Sequence, residues 1–126
     1  VPHLTAHLPE DKLAGRESEL VTALTEAIVG VYGEWARDLA TVHLSGVPAG
    51  RLAQGGKAVD TNASLVMGVR AAAFDRPDAP EIMASLAAGL TDAITTVLGE
   101  DFRPGTTVEL VPSPQERTFV AGIPAP

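Results

Sequence analysis

The chain has 126 residues, enough for one hydrophobic core and too few for a second independent one. A formal charge of −7, with only nine scattered Lys and Arg residues, argues against nucleic-acid binding, which depends on clustered cations releasing phosphate counterions. With no cysteine there are no disulfides, no thiol chemistry and no thiolate metal ligands, as suits a reducing cytoplasm.

No run of about 18 apolar residues predicts a membrane span. The first residues carry no basic stretch followed by a hydrophobic core, so no secretory signal is expected. Aromatic residues make up only 4% of the chain, which leaves Ala, Val and Leu to fill the core. A small anionic ligand stays compatible with the acidic balance, since a pocket needs only two or three cations.

The elements follow in chain order. His3 to Leu8 reads as a short strand that stops at Pro9, which cannot donate to a continuing ladder. From about Ser18 to Tyr32 the apolar residues Leu20, Val21, Leu24, Ala27, Ile28 and Val31 recur at helical spacing, and Gly33 can end that helix. Ala40 to Val47 is a second strand, followed by a Gly-rich loop from Pro48 to Gly56.

The order then repeats. Ser64 to Phe74 reads as a strand, Asp75 to Asp78 as a turn, and Ala79 to Leu98 as a helix closed by Gly99. Thr106 to Val111 is a last strand before a Pro-rich tail.

The two halves also match residue for residue at a spacing of 66. Leu24-Thr25-Glu26-Ala27-Ile28 corresponds to Leu90-Thr91-Asp92-Ala93-Ile94. Val31, Gly33, Glu34 and Arg37 correspond to Val97, Gly99, Glu100 and Arg103. Thr41, Val42 and Leu44 correspond to Thr107, Val108 and Leu110, and Pro48, Arg51 and Gly56 to Pro114, Arg117 and Gly122. No gap is needed, which identifies a tandem duplication of one β-α-β unit, about 2–60 and 64–126, in a single domain.

Each unit joins two parallel strands through a right-handed helical crossover. Side by side, two units make an α/β fold: a four-stranded sheet with both helices on one face. The other face is left bare. Val66, Gly68, Ala72, Val108 and Leu110 suggest that it is partly apolar and buried against further copies of the chain.

The opening Pro2-His3-Leu4, the helix through Leu24-Thr25-Glu26-Ala27-Ile28, the strand at Val42 and the Gly-rich stretch from Gly50 to Gly56 resemble the tautomerase superfamily. Its single-unit type is 4-oxalocrotonate tautomerase. Val47-Pro48-Ala49-Gly50 with Gln54-Gly55-Gly56 is most similar to the fused cis-3-chloroacrylic acid dehalogenase branch, beside malonate semialdehyde decarboxylase and 5-carboxymethyl-2-hydroxymuconate isomerase. The resemblance implies a homotrimer, no metal or organic cofactor, and an amino-terminal proline that moves protons on small enol, keto or unsaturated carboxylates.

Only a proline with nothing before it has a free secondary amine, and its rigid ring loses little entropy on being positioned. Pro2 is then the expected general base and acid, poised by burial and nearby cations. Val1 precedes it in the sequence. A Val-type start codon, read as Met and trimmed before proline, leaves Pro2 first; a retained Val1 makes Pro2 an amide and disables it.

Lys12 and His43 stand where the single-unit pattern has arginines, so the resemblance implies that they bind substrate; equally, they read as a solvated turn lysine and a packed strand histidine. Arg76, in the turn after the second unit's first strand, falls beside Pro2 if the two leading strands pair antiparallel, and Arg70 lies six residues before it. Arg51 and Arg117, as duplicated loop arginines, suit subunit contacts better than catalysis.

His3 and His7 lack a third partner for a metal. Glu109 and Glu116 do not match the spacing of the dehalogenase's water-activating glutamate, which favours tautomerisation over hydration, dehalogenation or decarboxylation. A trimeric relative without catalysis is the contrasting reading.

Overall fold

The structure is a computed structural model that describes residues 2–125. In strand β1 (His3–Pro9), Leu4, Ala6 and Leu8 are fully buried while His3 and His7 are exposed, the two-residue alternation of a strand covered on one face. β1 stops at Pro9, as its missing N–H requires.

One helical turn, α1 (Glu10–Leu13), leads into α2 (Glu17–Tyr32), where Leu20, Leu24 and Ile28 present one buried stripe at a spacing of four. Gly33 ends α2 with a φ of 107°, a conformation that disfavours any residue with a Cβ, and its N–H donates to the Val29 carbonyl. A 3-10 turn over Glu34–Ala36 returns the chain to β2 (Thr41–Val47).

A small hairpin, β3 (Ala53–Gln54) and β4 (Lys57–Ala58), precedes the second unit. That unit runs through β5 (Ala63–Arg70), α3 (Ala79–Leu98) and β6 (Thr106–Ser113) to a second hairpin, β7 (Phe119–Val120) and β8 (Ile123–Pro124). The main sheet has the order β2-β1-β5-β6; its outer pairs are parallel and its inner pair, β1 with β5, is antiparallel.

Both helices cover one face. Leu86, Leu90 and Ile94 of α3 are buried with Leu24 and Ile28 of α2 above Leu4, Leu65 and Met67 of the central strands. Arg16 Nη2 donates to the Val97 carbonyl at 2.6 Å, tying the start of α2 to the end of α3 and satisfying a helix-terminal acceptor. By length and composition alone α3 could cross a membrane, but here its apolar stripe lies on the sheet and on α2.

The duplication is visible in the hydrogen bonds. Val59 N–H to the Leu52 carbonyl at 2.9 Å recurs as Ala125 to Thr118 at 2.8 Å, and Arg51 to Pro48 at 3.0 Å recurs as Arg117 to Pro114 at 3.1 Å. Gly55, at φ 60° in the first hairpin, has Ala121 at φ 53° as its counterpart, so the copied turn holds a non-glycine residue in left-handed backbone.

Beyond each helix an arginine clamps two carboxylates. Arg37 pairs with Glu26 and Glu34, and Arg103 pairs with Asp92 and Glu100. Hydrogen bonding from the arginine holds Glu26, Glu34 and Glu100 below the ordinary carboxylate value. A lowered folded pKa adds stability above the ordinary value of 4.5 and loses it as pH falls through the folded value. Arg37→Met is therefore expected to cost a little stability at neutral pH, less in high salt and nothing near about pH 2, as read by urea unfolding at each condition.

Three expectations are corrected. The predicted strand from Ser64 to Phe74 ends at Arg70 because β1 pairing stops at His3 opposite Gly68, and the alanine-rich segment Ala71–Asp75 coils into a 3-10 turn.

The gapless repeat holds from Leu24 onward but not in the leading strands. His3 pairs with Thr41, whereas Ser64 pairs with Thr107, the counterpart of Thr41, so the second unit has five more residues before that point, four of them in the longer α3.

The bare sheet face is mostly polar. Val108 and Leu110 are level with Leu65 and Met67 on the helix side, and Ala72 has left the sheet. The open side carries His3, Thr5, His7, Thr41, His43, Ser45, Ser64, Arg70, Thr107, Glu109 and Ser113, with Val47, Val66 and Val111 among its apolar residues.

Candidate active site

Antiparallel pairing of β1 with β5 sets the start of one strand against the end of the other. Pro2 follows the buried parity of Leu4 and is itself buried, and its carbonyl accepts the Thr41 N–H at 3.1 Å. The neighbouring end of β5 supplies Val69 and Arg70, and the 3-10 turn after it supplies Ala73 and leads to Arg76. From the α2-to-β2 connection come Tyr32, Trp35 and Leu39. Together these side chains line a cavity of about 340 Å³, a size suited to a small organic acid.

The cations of this cavity are Arg70 and Arg76. Arg76 donates to both carboxylate oxygens of Asp78, Nε to Oδ1 at 2.9 Å and Nη2 to Oδ2 at 3.0 Å, which orients its planar fork. The same pair holds Asp78 below, and Arg76 above, their ordinary values.

Two aromatic side chains, Tyr32 and Trp35, also line the cavity. Trp35 Nε1 donates to the Tyr32 carbonyl at 2.8 Å, and the two rings lie 5.8 Å apart at 57°. Burial pushes the Tyr32 phenol above its ordinary value, so it remains a neutral donor at physiological pH.

A second cavity of about 360 Å³ lies at the other end of β1, between Pro9 and the first hairpin. Its charged lining residues are Asp11 and Asp60, which repel an anion. The position matching Pro2 in the second unit is Ala63, a mid-chain amide with no basic nitrogen. Each chain therefore offers one place for a terminal proline.

Of the residues singled out from the sequence, the structure brings Pro2, Arg70 and Arg76 together. Lys12, in α1, is separated from Pro2 by the length of β1, about 23 Å at the usual rise per residue. His43 pairs with Thr5 and is exposed on the open sheet face, opposite the face that buries Pro2. Arg51 and Arg117 are exposed in the two hairpin loops. His3 and His7 share the open face, and among the described residues no group of three or more His, Cys, Asp or Glu side chains can hold a metal ion.

Sequence reasoning missed Tyr32, Leu39, Val69 and Ala73. A signal was present. Tyr32, Trp35 and Leu39 have Leu98, Asp101 and Gly105 as repeat counterparts, so the two units diverge at the cavity beside Pro2.

No protein-family model and no curated protein matches the chain. Solved structures match it throughout. The chain shares 24% identity with a fused 4-OT, solved as a wild-type asymmetric trimer, over 97% of this chain and 94% of that one at a TM-score of 0.82. It shares 20% identity with Pt0534 inactivated by 2-oxo-3-pentynoate, over 97% and 94% at a TM-score of 0.81. With N1, of the cis-3-chloroacrylic acid dehalogenase family, it shares 16% identity over 98% and 83% at a TM-score of 0.77. The architecture is thus the tautomerase fold of fused β-α-β units.

Proposed function

We propose that the protein is a cofactor-independent tautomerase of small enolisable carboxylates, working as a homotrimer with Pro2 as proton shuttle. The observation that carries this reading is the cavity itself: a buried Pro2 with two arginines and, among the described residues, no carboxylate in its lining. The fold adds support, since a fused 4-OT with the same architecture is a trimer and Pt0534 is inactivated by a small 2-oxo acid.

In ketonisation Pro2, with a free and neutral nitrogen, takes the proton from the enol oxygen. That electron pair becomes the carbonyl π bond, and the former C=C pair accepts a proton from the prolinium at carbon. Proton count and charge are unchanged over the cycle. Arg70 and Arg76 hold the substrate carboxylate, and the neutral Tyr32 hydroxyl is a donor within the same cavity. Lys12 and His43 have no part in this proposed site.

The reading requires Pro2 to be the first residue of the working chain; Val1 lies outside the described residues. Two preparations test it, one beginning at Pro2 and one retaining Val1, each verified by intact mass. Ketonisation of phenylenolpyruvate or 2-hydroxymuconate is expected from the first, with a loss of about 10²–10⁴ in the second, as for removal of a general base. Equal rates, or none in either, would sink the proposal.

A further inference from the structure

We infer that Trp35, backed by Tyr32 and Leu39, selects an enol or keto monocarboxylate with an apolar, aryl-sized tail over a dicarboxylate of similar length. This rests on the tautomerase reading and adds to it a substrate class and a residue that sets it.

Both cations lining the cavity, Arg70 and Arg76, flank the one 3-10 turn after β5, so they converge on a single region. Arg76 also shares its charge with Asp78 through two hydrogen bonds. This end suits one carboxylate. The α2-to-β2 connection gives the lining Tyr32, Trp35 and Leu39, none of them charged. A second carboxylate there would lose water and gain no cation.

An apolar tail meets the opposite conditions. Trp35 is 56% exposed and Leu39 47% exposed, so both have apolar surface that a ligand can cover. The Trp35 indole is already held, by its hydrogen bond to the Tyr32 carbonyl and by the tilted Tyr32 ring, and little freedom remains to be lost on stacking. Trp35 is outside the buried core, so its replacement removes the ring contact with Tyr32 and leaves the core's own contacts in place.

The test compares kcat/KM for phenylenolpyruvate with that for 2-hydroxymuconate, using protein that begins at Pro2. The aryl monocarboxylate is expected to be preferred by tenfold or more. Trp35→Ala should lower the ratio of the two values by about tenfold, whereas Trp35→Phe, which keeps an aromatic face, should restore most of it.

Preference for the dicarboxylate, or a ratio unmoved by Trp35→Ala, overturns the selectivity while leaving the tautomerase reading standing. Turnover of neither substrate overturns both.

Discussion

Replacing Pro2 by alanine, in protein that starts at that residue, is expected to lower kcat/KM for ketonisation by about 10²–10⁴. Alanine keeps a terminal amine but gives up the ring that fixes the direction of its lone pair. In a proton transfer over a short distance, loss of alignment alone costs orders of magnitude.

Pro2 is also anchored. Its carbonyl accepts from Thr41, and its body is buried beside Val69 at the paired ends of β1 and β5.

The pH dependence has a definite sign. A general base acts when neutral, so kcat/KM should rise with pH through the amine's value and then level off. That rising limb should move in the alanine variant and vanish when Val1 is retained. The measurement is a pH–rate profile on all three proteins, alongside circular dichroism to show that the fold is unchanged. A profile shared by all three would assign the limb to another group.

The second large effect concerns stability. Leu24 and Leu90 occupy equivalent places in the two units, and both are fully buried between the helices and the sheet. Truncation to alanine removes their contacts and leaves a cavity that the surrounding strands can close only in part. Each substitution is expected to cost about 2–5 kcal/mol. That is a large share of the roughly 5–15 kcal/mol that holds a domain of this kind together.

If the two units contribute equally to one core, the costs should agree within about 1 kcal/mol, the scatter expected of context. Urea unfolding at a fixed protomer concentration measures them, since assembly would make the midpoint concentration-dependent. A cost near zero at either position would mean that the helix is not seated as described. A large difference would mean that the two units are not equivalent in packing.

Each of these predictions draws on a different kind of information. Local patterning dictated the elements: Leu20, Leu24 and Ile28 spaced by four, the alternation of Leu4, Ala6 and Leu8, and glycines at both helix ends. These are short-range preferences of the backbone and of one-sided burial, and they are legible wherever a period is unbroken. The repeat at 66 residues extended them to architecture, because two copies of one β-α-β unit have few ways to share a sheet.

The sequence by itself determined that this is a duplicated β-α-β chain with one distinctive proline near its start. Tertiary structure decided what surrounds that proline. Antiparallel pairing of β1 with β5 carries Arg70 and Arg76 to Pro2 across more than sixty residues of chain, while it leaves Lys12 beyond the far end of β1 and His43 on the opposite face.

The 3-10 turn after β5 separates the two arginines, and Tyr32 and Trp35 join them in one lining because α2 ends near the same strand end. Spacing along a chain records which residues share a face of one element. Which faces meet is set by burying those faces together, and that is a property of the assembled core.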